Sequence, residues 1–308
     1  MILDKISNFL KKDYESSVLA CGFLINSYRY AAPVTINAIT MGGYNGSYLS
    51  STEEYNGTSW SAGGALATAR SYAGNGSCGN ANNAITIAGF TGVSISSTEE
   101  YNGTTWSAGG SITTARDTAG AGGNSTDAIT MGGSDVAALS STEEYNGTTW
   151  SAGGALATAR YYVGGGGNST DAISYNGNPT NLTTTEEYNG TSWSAGGATT
   201  SGRYAPSGGG NSSNALMTGG NNGGPLTGCN LYNGTTWSAT GAMSGSRYIH
   251  ASGYDLTNGI SMGGENGGQL STTEEFASGI WSAGGALATA RNANSGGMNS
   301  WKLIIIPK

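Results

Sequence analysis

Short runs of alternating apolar and polar residues recur along the chain, separated by segments rich in glycine and asparagine. One run is NAITI at residues 83–87, and another is STEEY at 97–101. Asn102-Gly103 follows the second run, and Asn-Gly between two strand-like runs indicates a hairpin because a type I′ turn needs positive φ at both central residues. The next strand then contains Trp106. Short strands without helical periodicity between them predict an all-β chain.

The strand pattern belongs to a sequence repeat of about 44 residues. Successive tryptophans of the repeat are 46, 44, 43, 44 and 44 residues apart, and an arginine lies ten residues after each. A repeat of this length that contains only short strands predicts a β-propeller of four-stranded blades. We interpret both series as structural positions: Trp60, Trp106, Trp150, Trp193, Trp237 and Trp281, with Arg29, Arg70, Arg116, Arg160, Arg203, Arg247 and Arg291.

The number of blades follows from the residues left at the two ends. Six full steps separate Arg29 from Arg291, with 28 residues before the first arginine and 17 after the last. These remainders amount to one more repeat, so the count predicts seven blades, the seventh shared by both termini. In that blade Trp301–Ile306 forms the second strand and Val18–Ile25 the third and fourth. Six blades are the alternative if the N-terminal stretch packs elsewhere.

The N-terminal segment differs in composition from everything that follows. Its pattern predicts an amphipathic arm over residues 1–16, followed by the propeller over 17–308. The run Val18–Cys21 is similar to a lipoprotein cleavage box, but charged residues interrupt the stretch before it, so we expect no lipid anchor. No apolar run approaches the roughly 20 residues that cross a bilayer, which predicts no membrane insertion. The apolar residues of the arm are Ile2, Ile6, Phe9 and Leu10.

Composition restricts the partners further. Glycine supplies 54 of 308 residues, only 10% are charged, and the net charge is −7. A protein with this charge lacks the field that attracts nucleic acid, so we expect no nucleic-acid partner. Cys21, Cys78 and Cys229 have no spacing typical of a disulfide framework or a metal site, and we predict neither metal nor cofactor.

In four of the repeats an arginine is followed by a strand that ends in a glycine pair, and then by a tyrosine or phenylalanine and the tryptophan. This order resembles kelch repeats over almost the whole chain, although the tyrosine and tryptophan are closer together here than in the usual kelch unit. The fourth repeat also departs from the pattern, with Tyr175-Asn176-Gly177. The resemblance implies a propeller with a binding role. The glycine pairs are Gly42-Gly43, Gly132-Gly133, Gly219-Gly220 and Gly263-Gly264.

Candidate catalytic groups have simpler structural interpretations. The kelch-like oxidases hold copper through paired histidines, whereas His250 is the single histidine here, so we interpret it as structural. The segment around Trp106 resembles the sialidase Asp-box, but a tyrosine stands where the aspartate belongs. Paired glutamates recur in five repeats, and adjacent strand residues point to opposite faces. We expect one glutamate of each pair to meet a repeated arginine and the other to be solvated, and we predict no catalytic residue.

The tyrosines that follow the repeated arginines are the candidate ligand-binding residues. In a propeller these positions lie near the mouth of the central channel, where tyrosines stack on sugars and bond to their hydroxyls. The alternative is that they fill space between blades. The set is Tyr30, Tyr72, Tyr161, Tyr162, Tyr204 and Tyr248.

Near-identical Gly/Ser/Thr/Asn-rich repeats also resemble phage tail-fibre and virion surface proteins. We therefore predict a non-enzymatic propeller on the surface of a virus particle, acting as a fibre, decoration or receptor-binding module. Its arm would contact other virion proteins, and its propeller a host-surface glycan or protein. The alternative is a cell-surface or secreted adhesin that binds carbohydrate.

Overall fold

The structure is a computed structural model that describes residues 35–76, 78–254 and 257–301. These residues form strands, turns and bends, and none of them is helical. It follows that no helix among them is long and apolar enough to cross a membrane. The predicted arm at 1–16, together with Arg29 and Tyr30, lies outside the described residues.

The strands form six four-stranded antiparallel sheets, which are the blades. Blade 1 begins with β1 (Thr35–Met41), β2 (Thr52–Tyr55) and β3 (Trp60–Ala62). Blade 2 contains β4 (Gly79–Asn80), β5 (Asn83–Ile87), β6 (Thr98–Tyr101) and β7 (Trp106–Ala108). Blade 3 contains β8 (Gly120–Asn124), β9 (Asp127–Met131), β12 (Thr142–Tyr145) and β13 (Trp150–Ala152), and a small hairpin of β10 (Ser134–Asp135) and β11 (Ala137–Ala138) joins its middle strands.

The other three blades repeat this order. Blade 4 contains β14 (Gly164–Gly167), β15 (Ala172–Tyr175), β16 (Thr185–Tyr188) and β17 (Trp193–Gly196). Blade 5 contains β18 (Ser207–Gly210), β19 (Ala215–Thr218), β20 (Cys229–Tyr232) and β21 (Trp237–Ala239). Blade 6 contains β22 (Ala251–Tyr254), β23 (Asn258–Met262), β24 (Thr273–Ala277) and β25 (Ile280–Ala283), and β26 (Ser295–Trp301) returns to blade 1 as its innermost strand.

The return of β26 closes the ring. It pairs antiparallel with β1, with Ser295 opposite Met41 and Trp301 opposite Thr35. It also contacts β22 of blade 6 on one side and β4 of blade 2 on the other. The all-β propeller of four-stranded blades is therefore confirmed, and six is the number of blades. A blade shared by the two ends of the chain exists, but it is one of the six rather than a seventh.

The prediction of seven blades fails because Arg29 is not equivalent to the other arginines. Arg116 lies 15 residues before Met131, the last residue of β9, whereas Arg29 lies only 12 before the equivalent Met41. That separation leaves too little chain for an innermost strand and its turn. The innermost strand comes instead from the residues after Arg291, so Trp301 ends an innermost strand and does not begin a second one. The other predicted strand, Val18–Ile25, lies outside the described residues.

Glycine lets the innermost strands approach each other closely. A Cβ on Gly122 of β8 would lie 2.4 Å from the carbonyl oxygen of Gly167, and one on Gly166 would lie 2.6 Å from that of Gly210. Neighbouring blades thus pack backbone against backbone at the axis, which only glycine permits. Farther out, each second strand buries one large aliphatic residue: Ile39, Ile85, Ile129, Ile173, Leu216 and Ile260.

We call the contact surface between two neighbouring blades a seam. Five of the six seams contain a buried ion pair. The first glutamate of each pair meets a repeated arginine, as the sequence predicts. Because both side chains are buried, each partner removes the cost of the other's isolated charge. The pairs are Arg70–Glu99 at 2.6 Å, Arg116–Glu143 at 3.0 Å, Arg160–Glu186 at 2.6 Å, Arg247–Glu274 at 2.8 Å and Arg291–Glu53 at 2.6 Å.

The second glutamate of each pair is not simply solvated, as the sequence had suggested. It accepts a hydrogen bond from the tyrosine of the next blade. The tryptophan of that blade stacks on this tyrosine, and Trp106 donates its indole N–H to Thr52 of the preceding blade at 3.0 Å. The tyrosine–glutamate pairs are Tyr101–Glu54, Tyr145–Glu100, Tyr188–Glu144, Tyr232–Glu187 and Tyr55–Glu275.

The seam between blades 4 and 5 is the exception. Blade 5 reads CNLY where the others read TEEY or TEEF, so Arg203 meets Asn230 Oδ1 at 3.3 Å instead of a carboxylate. Arg203 is buried, and its Nε has no partner among the described residues. This seam therefore holds a buried cation without the carboxylate present in the other five.

Candidate functional site

One face of the propeller carries the loops that differ most between blades, and we call it the mouth face. It is built by one short bridge per blade, in which the residue after the glycine pair meets the residue after the arginine. The twelve residues of these bridges define the face: Tyr44–Asn292, Ser71–Phe90, Asp117–Ser134, Tyr161–Asn178, Tyr204–Asn221 and Tyr248–Glu265. The Asn-Gly hairpins lie at the opposite edge.

A belt of backbone hydrogen bonds surrounds the axis just inside these bridges. Its members adopt positive φ although none is glycine, a conformation that costs of order 1–3 kcal/mol per residue. Tyr72 N–H donates to Ala293 O at 2.8 Å, and Ala293 N–H donates to Ile249 O at 2.7 Å. These bonds between neighbouring blades explain why the conformation is kept. The belt residues, with their φ, are Tyr72 (52°), Thr118 (52°), Tyr162 (51°), Ala205 (49°), Ile249 (44°) and Ala293 (50°).

The belt encloses a small pocket. Its empty space is about 290 Å³ when open solvent at the mouth is included, but only about 20 Å³ of it can hold the centre of a water molecule. Besides the belt residues, its lining contains Ala73, Asn75, His250 and Asn294.

Asn75 blocks the channel beneath the mouth face. Its side-chain N–H donates to Pro206 O at 2.6 Å, and Ser207 Oγ donates to its Oδ1 at 2.9 Å. Asn75 precedes β4 of blade 2, whereas Pro206 and Ser207 belong to blade 5 on the opposite side of the ring. The room for this crossing comes from two extra residues between Arg70 and the end of β5. The signal in the sequence was the tryptophan spacing of 46, which the sequence analysis left uninterpreted.

Two buried side chains of the pocket keep one polar atom each without a partner among the described residues. His250 contacts Thr218 Oγ1 through Nε2 at 2.8 Å, and its Nδ1 is unpartnered. Burial, followed by the charge of Arg247, lowers the pKa of His250 well below its ordinary value, so the ring is neutral. Asn294 donates from Nδ2 to Thr40 Oγ1 at 2.7 Å, and its Oδ1 is unpartnered.

The described candidate tyrosines form a continuous arc on the mouth face. Tyr162 is its centre, with ring centroids 5.9 Å from Tyr72, 5.6 Å from Tyr161 and 5.9 Å from Tyr204. Tyr204 continues the arc to Tyr248 at 6.1 Å. Burial raises the pKa of Tyr162, and burial together with Glu265 raises that of Tyr248 to about 12. The hydroxyls of Tyr162 and Tyr248 are thus protonated at neutral pH.

Two carboxylates flank the arc, and the sequence analysis did not single them out. Asp117 accepts hydrogen bonds from Ser94 Oγ at 2.9 Å and from Thr118 Oγ1 at 3.0 Å. Glu265 accepts one from Asn292 Nδ2 at 2.5 Å. The repeated arginines of the described residues, in contrast, are all buried. The mouth face therefore presents aromatic rings, amides and carboxylates.

Apolar side chains project from the loop tips of blades 2 and 3. Val93 is 67% exposed and Val136 is fully exposed. Val136 also has φ of 68°, at a position where four other blades have glycine. A β-branched residue at positive φ is an outlier. The glycines at the equivalent position are Gly46, Gly92, Gly223 and Gly267.

These features define a six-bladed β-propeller with one divergent face and a blind central pocket. Its fold is similar to that of a solved protein described as "Structure of YjhT", with a TM-score of 0.63 and 12% sequence identity over 82% of this chain and 98% of that one. The sequence matches no family model and no curated protein. In the described part of the chain, no three histidine, cysteine, aspartate or glutamate side chains group in a way that could hold a metal ion.

Proposed function

We propose that this protein is a non-enzymatic binding module and that its mouth face recognises a surface glycan. The observation that carries the proposal is the contrast between the blades' shared seams and their divergent mouth residues. Near-identical blades need the same residues where they meet, but the fold does not require tyrosine at four mouth positions and aspartate or glutamate at others. Divergence concentrated on one face of a repeat protein is typical of a binding surface.

The tyrosine arc supports a glycan as the ligand. Aromatic rings pack against the C–H faces of sugars, while hydroxyl and amide groups bond to the sugar hydroxyls. Tyr161 and Tyr204 bridge to Asn178 and Asn221, which brings both kinds of group together.

The surroundings of His250, the candidate general base, favour binding over catalysis. His250 contacts Thr218, and Thr218 contacts Ser252 Oγ at 3.0 Å. Both hydroxyl residues are fully buried, so neither can reach a substrate as a nucleophile.

Glycan-array binding of the whole chain tests this proposal. We expect a defined set of glycans to bind, and Tyr204→Ala to weaken that binding about tenfold or more with an unchanged melting temperature. Ile280→Ala is the matched control, because Ile280 is 71% exposed at the start of β25, at the opposite edge. Binding that survives Tyr204→Ala and Tyr162→Ala, or no binding to any glycan, would contradict the proposal.

The setting that we propose for this role is the surface of a virus particle, with the segment 1–16 as the attachment arm. It is supported by the Gly/Ser/Thr/Asn-rich repeats and by the different composition of the arm. Immunogold electron microscopy of the source material should label particles, and deletion of residues 1–12 should reduce incorporation. Labelling of cell envelopes would favour the adhesin instead, and unchanged incorporation would overturn the role of the arm.

A further inference from the structure

The central pocket combines aromatic walls with two buried polar atoms that have no partner among the described residues. Tyr72 and Tyr162 line it, together with small apolar side chains of the belt. Asn294 supplies an acceptor, since its Nδ2 also donates to Met262 O at 3.3 Å, and a carbonyl can only accept, which fixes the amide orientation. His250 leaves Nδ1 unpartnered, as an acceptor in the tautomer that donates from Nε2 to Thr218 and as a donor in the other tautomer. Both residues are at least 97% buried.

The charges around the pocket have one sign. Asp117 and Glu265 belong to blades on opposite sides of the ring, and both act on Tyr72 electrostatically. Within the described residues every arginine is buried in a seam. An anionic ligand would therefore meet carboxylates without an exposed cation to balance them, whereas a cationic ligand would be attracted.

From these observations we propose that the mouth face recognises an ammonium group, carried as a substituent of the bound glycan and seated in the central pocket beside Tyr72 and Tyr162. The inference rests on the proposed function of glycan binding. Aromatic rings attract a cation through their negative faces, and nearby carboxylates and amide oxygens add to that attraction. Asn75 forms the floor, so the group enters and leaves through the mouth only.

Matched pairs of small ligands test the inference by calorimetric titration of the whole chain. Choline is compared with 3,3-dimethylbutan-1-ol, which has the same shape without the charge, and glucosamine with N-acetylglucosamine. We expect the charged member of at least one pair to bind about tenfold more tightly than its partner, and high salt to weaken it. The first pair reports a quaternary ammonium and the second an amino sugar, which distinguishes the two sources.

Variants then locate the site. Glu265→Gln and Tyr162→Leu should each weaken binding of the charged ligand several-fold, while Tyr162→Phe, which keeps the ring, should retain most of it. Asp171→Asn is the control for net charge, because Asp171 lies at the opposite edge, where its side chain accepts a hydrogen bond from Ser212 N–H at 3.0 Å. Equal weakening by Asp171→Asn and Glu265→Gln would overturn the assignment to the mouth.

The outcomes separate this inference from the proposed function. Glycan binding on the array, combined with equal affinity for charged and neutral members of both pairs, overturns the ammonium site and leaves the binding function standing. Ammonium binding without any glycan binding supports the site and overturns the glycan. Failure of both measurements overturns both.

Discussion

The seams and the mouth face of this propeller are built from the same repeats, but the seam residues are nearly the same in every blade whereas the mouth residues differ from blade to blade. Four of the six seams contain both an arginine–glutamate pair and a tyrosine–glutamate pair in the same positions, and each of the other two contains one of these pairs. The bridges of the mouth face place tyrosine, phenylalanine, serine, asparagine, aspartate or glutamate at equivalent positions. The contrast shows that blade docking fixes the residues of the seams and leaves the mouth free to specialise.

The largest expected effect is the removal of one charge from a seam. In Glu143→Gln, Arg116 stays buried without its carboxylate, and two backbone N–H donors, of Thr113 and Thr114, lose a charged acceptor. We expect a loss of about 3–5 kcal/mol in the free energy of unfolding, measured with denaturant. Asp135→Asn, at an exposed loop tip of the mouth, is the control and should change stability by less than about 0.5 kcal/mol. Similar losses of stability in both variants would contradict the conclusion that seam residues stabilise the fold more than mouth residues do.

In the seam between blades 4 and 5, a charge can be added instead of removed. Asn230→Glu should give Arg203 the carboxylate that every other repeated arginine of the described ring has. We expect a gain of about 1.5–3 kcal/mol in the free energy of unfolding, the usual range for hydrogen bonds to charged groups. Glu100→Gln, which leaves the ion pairs intact, serves as the comparison. A loss of stability in Asn230→Glu would show that blade 5 has adapted its packing to the neutral asparagine.

A tyrosine of the seam should produce a smaller, pH-dependent effect. Burial, followed by the hydrogen bond to Glu100, raises the pKa of Tyr145 from 10.0 to about 12. Because the folded state holds this proton more tightly than the unfolded state, the stabilisation is complete below pH 10 and is lost as the pH rises through about 12.

Tyr145→Phe tests this effect. It should cost about 1 kcal/mol at neutral pH and reduce the decline of stability in alkali, measured by denaturant unfolding across that range. Tyr44→Phe, on the mouth face, is the control for removal of a tyrosine hydroxyl, and the effect of Tyr145→Phe is measured relative to it. A decline that is the same in wild type and Tyr145→Phe would contradict the assignment.

The smallest expected effect concerns the strain at the mouth. Val136→Gly removes a side chain from a residue at φ of 68°, and relief of strain should slightly exceed the entropy that glycine adds to the unfolded chain, for a net gain of about 0.5 kcal/mol. Val93→Gly, at a neighbouring exposed tip without positive φ, should lose about the same amount. Thermal unfolding distinguishes the two signs. Equal signs would mean that the backbone of blade 3 is not strained by the valine.

The seams were largely predictable because their residues recur at fixed intervals. Trp106 and Arg116 mark one strand and one connection, and the paired glutamates suggested a partner for the arginine. The partner of the second glutamate was not predictable, because Tyr145 lies 45 residues after Glu100 and only the docking of two blades brings them together.

The sequence predicted which positions of the repeat lie at the mouth but not which of their residues meet there. The position after each arginine indicated Tyr162 and Tyr204, whereas Glu265 follows a glycine pair in another part of the repeat. Nothing local in the sequence links the two positions, since the bridge forms only after the sheet has folded. The blade count failed for a related reason: Arg29 matched the residue type but not its distance to the next strand.

Nearly identical seams create a problem of order during folding. Any blade of this protein could dock on almost any other with a similar gain in free energy, so local contacts alone distinguish poorly between correct and exchanged neighbours. Asn75 does distinguish them, because it joins blade 2 to blade 5 across the axis and fits only when two blades separate them on each side. The residue that closes the channel thus also serves as a check on assembly.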